Sequence, residues 1–273
     1  MVNIIREADN FVFVHIPKCG GSSIAIGLTE ALDPPLKNEI RYDGSKLDKI
    51  DGLGTYMDAH KPLWMLKDYF PEELASYRRC ECFCVVRDPH KRFASAVQQY
   101  LREFENKNIA DMPQDEVVRI LDTLMARLSN SPSYMGGEYV HFIAQNDYVC
   151  LGDERIVKNV YPLEELDAMA KHISGVVQRP VRFHFRANTS AGRQGGSLKM
   201  IKRLGKPLRS VIPSGLYWSI KTAIIKMLTK PLPQSALSVF ETDRVKAFVE
   251  DYYAKDIALC AEVRQAFDQR MAS

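Results

Sequence analysis

Long apolar runs are missing from this chain of 273 residues. Nowhere does it reach the roughly 18 uninterrupted apolar residues of a membrane-crossing helix. The first ten residues carry Arg6, Glu7 and Asp9 where a secretory signal would have its apolar centre. An integral membrane protein and a secreted precursor are therefore not expected; a soluble, cytoplasmic protein is. Internal repeats, low-complexity tracts and Pro/Ser-rich linkers are lacking too. With 46% hydrophobic residues the chain can bury a sizeable core, so a single domain over residues 1–273 is the simplest organisation.

The six cysteines show no C-x-x-C spacing, which argues against a zinc site, and no metal is expected. Cys80, Cys82 and Cys84 alternate as they would along one face of one strand, an arrangement that does not offer disulfide geometry. Reduced, partly buried thiols follow. Cys19 stands apart, because it sits in a loop where a stabilised thiolate would be reactive.

Acidic residues vanish between Ala168 and Phe240, where 13 Lys and Arg face no Asp or Glu; the remainder holds 24 basic and 34 acidic residues, so the net +3 is a cancellation. Residues 198–204 and 216–228 mix apolar and basic side chains at helical spacing, separated by Gly205, Pro207, Pro213 and Gly215. They define a basic helical segment at about 192–235. Three readings stay open for it: ordinary solvated helices, peripheral membrane contact through residues 199–230, or contact with an anionic glycan.

What is present begins with the apolar, β-branched and aromatic run from Phe11 to Ile16, broken by Pro17. Lys18-Cys19-Gly20-Gly21-Ser22-Ser23 follows, and then a helix-forming run from Ile24 to Leu32. Strand, tight loop and helix start place unpaired N–H groups at the positive end of a helix dipole, and Lys18 adds a mobile cation. The loop suits a phosphate-like anion. It is not the triphosphate loop G-x-x-x-x-G-K-[ST], because Lys18 precedes both glycines. A second strand-to-helix junction lies at Val85-Val86-Arg87-Asp88-Pro89, with Asp88 as N-cap, Pro89 at the first helical position, Arg87 at the strand end and Ser95 two turns into the helix.

H-I-P-K-x-G-G-[ST]-S at residues 15–23, followed by V-R-D-P-x-x-R-F-x-S at 86–95, resembles the two nucleotide-binding signatures of sulfotransferases that use 3′-phosphoadenosine-5′-phosphosulfate. The resemblance is greatest to the group containing carbohydrate and heparan 2-O-sulfotransferases and bacterial relatives. It implies an α/β fold with a P-loop-like parallel β-sheet flanked by helices. It also implies that Lys18, Cys19, Gly20, Gly21, Ser22 and Ser23 hold the 5′-phosphosulfate and that Arg87 and Ser95 hold the 3′-phosphate. A bidentate guanidinium with a hydroxyl suits a phosphate monoester.

Sulfuryl transfer needs a base for the attacking hydroxyl and a cation where charge builds on the leaving phosphate. The His60-Lys61-Pro62 segment resembles the one that carries the base in the heparan 2-O group, which gives His60 as base and Lys18 as its electrostatic partner. A structural histidine at a strand end suits the same short match, with Asp58 then as base. His15 is read as orienting the loop, and His141 shows no partner pattern. Gln145-x-x-Tyr148-Val149, Arg155 to Val157, the acidic start at Glu164-Glu165, and Tyr252-Tyr253-x-x-Asp256 extend the resemblance. Arg186 to Ser190 resembles a late loop closing over the nucleotide, with Asn188 and Ser190 as ligands. Residues 89–105 and 114–128 carry helical apolar stripes, and 33–55 reads as an irregular connection.

The expected partners are the nucleotide donor, which leaves as adenosine 3′,5′-bisphosphate, and a hydroxylated acceptor, a carbohydrate or glycosylated molecule; nucleic acid is not expected. Two rival readings are a nucleotide phosphotransferase on a similar sheet and a non-catalytic basic protein that binds membrane or polyanion.

Overall fold

The computed structural model of the chain describes residues 3–32, 47–131, 134–183, 191–193, 229–231 and 234–272. In chain order, β1 (Ile4–Arg6), β2 (Phe11–Phe13) and α1 (Gly21–Ala31) come first, then β3 (Asp48–Ile50) and β4 (Gly54–Tyr56). Helices α2 (Leu63–Tyr69) and α3 (Pro71–Arg79) precede β5 (Glu81–Val86), which leads into α4 (Pro89–Glu103). Next are α5 (Gln114–Asn130), the single turn α6 (Asn146–Val149), and the short strands β6 (Cys150–Leu151) and β7 (Glu154–Arg155). β8 (Asn159–Pro162) and α7 (Leu166–Val177) follow. Then come the paired strands β9 (Ala191–Arg193) and β10 (Thr229–Pro231), and after them α8 (Gln234–Ser238), α9 (Asp243–Tyr252) and α10 (Ala254–Ala272).

The fold is α/β, with a four-stranded mixed sheet in the order β1-β2-β5-β8, flanked by helices. β2, β5 and β8 run parallel, with Val12 opposite Cys82 and Val85 opposite Tyr161. Strands covered on both faces read as unbroken apolar runs, and Phe11, Val12, Phe13 and Phe83 to Val86 are all buried. One core gathers these strands with Ile24 and Leu28 of α1, Met169 and Ile173 of α7, and Leu259 and Val263 of α10. A second joins Phe93, Val97 and Leu101 of α4 to Leu121 and Leu124 of α5 and to Val249 and Tyr253. The helical stripes read from the sequence at residues 89–105 and 114–128 are these contacts.

The sheet departs from the all-parallel expectation at its edge. β1 runs antiparallel to β2, with Ile4 opposite Phe13. The reversal is made by a 3₁₀ turn at Glu7–Asp9 and by Asn10, whose backbone takes the left-handed conformation at φ 53°. Asn is one of the few residues that reaches that region at little cost, so the chain can double back within four residues. The connection expected to be irregular up to residue 55 contains the hairpin β3–β4, with Gly52 at φ 82° in its turn. Cys80 lies outside β5 as the C-cap of α3, so only Cys82 and Cys84 share the strand.

Asn188, Ser190 and the interior of the basic stretch at 192–235 lie outside the described residues. Of that stretch, 192–193 and 229–231 are strand, within the antiparallel pair of β9 and β10. Among the described residues no helix is long and apolar enough to cross a membrane.

Candidate anion-binding site

β2 delivers the chain into the loop through Val14, whose N–H donates to the Phe83 carbonyl at 2.8 Å. Lys18 then adopts φ 67°, a left-handed conformation that costs a non-glycine residue about 1 kcal/mol or more. Gly20 follows at φ 77° as the N-cap of α1, which no side chain caps. The two glycines have different reasons. A Cβ on Gly20 would stand 2.7 Å from Leu163 Cδ1, and one on Gly21 would stand 2.0 Å from the His15 ring. The ring of His15 therefore lies directly against the first residue of α1, and its backbone N–H donates to Asn3 Oδ1 at 2.8 Å.

The second junction forms as the sequence indicates. Asp88 caps α4 by accepting from Lys91 N–H at 2.9 Å, and Pro89 occupies the first turn. Arg87 stands just beyond β5, and its Nη1 donates to the Lys18 carbonyl at 3.2 Å. Two residues 69 apart in the chain, one from each motif, thus meet through a direct bond. Lys18 Nζ itself donates to Gln99 Oε1 on α4 at 3.2 Å. Both cations are half-buried, and so are Ser23 and Ser95. Ser95 lies on α4 one turn before Gln99, the residue that accepts from the Lys18 ammonium, and the Ser22 side chain is not described.

Behind the loop is a buried polar frame whose members carry no role in the sequence reading. Arg92, only 1% exposed, donates from Nε to the Pro17 carbonyl at 3.1 Å and from Nη2 to the carbonyls of Ile143 (2.6 Å) and His141 (3.3 Å). Its charge is balanced by the fully buried Asp256, 3.8 Å away, whose carboxylate accepts from the N–H groups of Gln145 (2.8 Å) and Asn146 (2.9 Å). Burial raises the Asp256 pKa, against the opposing pull of Arg92. Gln145 links this frame to both motifs, since its Oε1 accepts from Arg87 N–H at 2.9 Å and from the Cys19 thiol at 3.1 Å.

Cys19 consequently differs from both of its sequence roles. Its thiol faces Gln145 in the core, its N–H is taken by the Ile16 carbonyl, and burial pushes its pKa up to about 11. A thiol of that kind is neither an anion ligand nor a ready nucleophile.

His60 lies on a 3₁₀ turn, Asp58–His60, and not at a strand end. It is the middle of three packed imidazoles, with ring centroids 4.6 Å from His15 and 5.5 Å from His141. All three rings are buried, and the Nδ1 atoms of His60 and His141 have no hydrogen-bond partner among the described residues. Burial, followed by the neighbouring histidines, holds the His60 pKa well below the ordinary value; burial, Lys18 and Arg92 do the same for His141. Both rings are therefore neutral at pH 7. Asp58 is engaged by Lys61 at 2.9 Å, and Lys61 also binds Glu73.

The missed residues left little trace in the sequence. Arg92 sits inside the second motif, Gln145 and Asp256 inside the extended resemblance, and His141 in neither. Among the described residues no cluster of His, Cys, Asp or Glu could hold a metal ion. No family model matches the chain, and neither a curated protein nor a solved structure matches it significantly.

Proposed function

We propose that the chain is a sulfotransferase that moves a sulfuryl group from 3′-phosphoadenosine-5′-phosphosulfate to a hydroxyl of a carbohydrate or glycosylated acceptor. The observation that carries this reading is the bond from Arg87 to the Lys18 carbonyl, which brings the guanidinium of the second motif onto the loop that leads into α1, a helix start that no side chain caps. A donor set of guanidinium, ammonium and helix N–H groups fits a doubly phosphorylated anion. In this assignment Lys18 and the first turn of α1 hold the 5′-phosphosulfate, and Arg87 with Ser95 holds the 3′-phosphate.

His60 is the base in this reading, and its neutral imidazole is the form a base requires. The acceptor oxygen forms a bond to sulfur as the bond from sulfur to the bridging phosphate oxygen breaks. The hydroxyl proton passes to His60, and Lys18 offsets the charge that develops on the leaving bisphosphate.

The test is calorimetric titration with adenosine 3′,5′-bisphosphate beside AMP and ATP-magnesium, for the wild type and Arg87→Ala. The bisphosphate is expected to bind best, and Arg87→Ala to weaken it by roughly tenfold or more, the scale of one charge-assisted hydrogen bond. Preference for ATP-magnesium would replace this reading with a phosphotransferase. Absence of nucleotide binding, together with salt-sensitive binding to polyanions, would favour the non-catalytic basic protein.

A further inference from the structure

Strand pairing ends before it reaches Arg87. β8 pairs no further than Pro162 opposite Val86, and the β2 side ends with Val14 bonded to Phe83. Both polar backbone groups of Arg87 are nevertheless satisfied, and by one side chain. Its N–H donates to Gln145 Oε1 and its carbonyl accepts from Gln145 Nε2, each at 2.9 Å. A side-chain amide that pairs both groups of a residue supplies what a neighbouring strand would supply.

The same amide reaches across to the loop. Gln145 Oε1 also accepts from the thiol of Cys19, the residue next to Lys18. From the other side, the Cys260 thiol on α10 donates to the Arg87 carbonyl at 3.4 Å. Gln145 is 0% exposed, and its own N–H is held by Asp256. A leucine or methionine would fill the same volume with no polar groups to satisfy, so a glutamine here costs stability unless its bonds are made. Its side-chain oxygen bonds a residue of each motif, Cys19 and Arg87, and its nitrogen bonds Arg87.

We infer that Gln145 is a positioning residue. It clamps the end of β5 to the loop after β2, so that Arg87 and Lys18 are set as one unit and the two halves of the anion site form and fail together. That the ligand is a bisphosphorylated nucleotide rests on the reading of the preceding subsection; the clamp itself does not.

The test uses Gln145→Leu in the full chain, with Gln145→Met as the second variant should the first fail to unfold cooperatively. Adenosine 3′,5′-bisphosphate affinity is measured for the wild type, Gln145→Leu, Arg87→Ala and the double variant. Because Gln145 acts through both Arg87 and the Lys18 loop, its loss is expected to weaken binding at least ~10-fold. The double variant is expected to lose less than the two single losses added as free energies, since the guanidinium that Gln145 positions is already gone in Arg87→Ala. Wild-type affinity in Gln145→Leu, or additive losses in the double variant, would overturn the inference.

If the wild type binds no bisphosphate, the nucleotide reading fails and amide hydrogen exchange decides the clamp. Faster exchange at Lys18, Cys19 and Arg87 in Gln145→Leu, with α4 and α10 protected as in the wild type, supports it. Unchanged exchange at those three amides rejects it.

Discussion

The loop between β2 and α1 shows how single residues are chosen by what lies beside them. Gly20 answers a backbone demand, because φ 77° strains any residue with a Cβ. Gly21 answers a packing demand from the His15 ring. The two demands predict different outcomes for alanine. At Gly21 the helix would gain from alanine's better propensity by at most ~1 kcal/mol, and less at a first helical position. The new methyl overlaps a ring that is held by its neighbours, and overpacking of this kind costs about 1–3 kcal/mol. Gly21→Ala is therefore expected to lower the urea midpoint, with His15 displaced from His60. A neutral or stabilising result would show that the ring moves aside freely. Lys18 is the opposite case, a side chain kept at a strained φ where glycine would be relaxed, which is the pattern expected when the side chain itself is needed.

At the scale of elements, α4 is the clearest product of its own sequence. Asp88 accepts from the Lys91 N–H, Pro89 occupies a position where no N–H is required, and Phe93, Val97 and Leu101 recur on the buried face. Asp88 is exposed, so its replacement removes the cap and little else. Asp88→Ala is expected to cost about 1 kcal/mol in denaturant unfolding, seen as a lower midpoint at unchanged slope. No change in midpoint would mean that packing along α4 alone sets its start. This helix, β2, β5 and their junctions were legible because their signals are local: an apolar run, a cap, a proline, a glycine pair. The antiparallel β1 was not, since its turn depends on one asparagine that looks like any surface residue. The polar frame was not legible either. Arg92 and Pro17 are 75 residues apart, and Gln145 and Asp256 are 111 apart, so nothing near either partner in the sequence announces the bond.

At the scale of the whole molecule, the buried histidines tie folding to pH. His60 and His141 have pKa values pushed well below 6.5 in the fold, while an unfolded histidine titrates near that value. Above pH 6.5 both states hold these rings neutral and neither contributes. As pH falls through 6.5 the unfolded chain takes up protons that the folded chain refuses, so stability is lost by at most about 1.4 kcal/mol per pH unit for each ring. Asp147 works in the other direction. Its pKa is raised by burial to about 6, so between pH 6 and its ordinary value of 3.8 the folded state keeps a proton that the unfolded state releases. Asp256 is raised too, with the same sign. The wild-type curve is thus a contest between acids and histidines, and the separation comes from comparing it with His60→Gln/His141→Gln. Between pH 7.5 and 5.5 the double variant is expected to lose less stability than the wild type, by roughly 1–3 kcal/mol in chemical denaturation. Parallel curves would place the histidines in contact with enough water to be charged in the fold. That result would also move the base assigned to His60 into the ordinary titration range, where its activity would fall on acidification near pH 6.5 and not well below it.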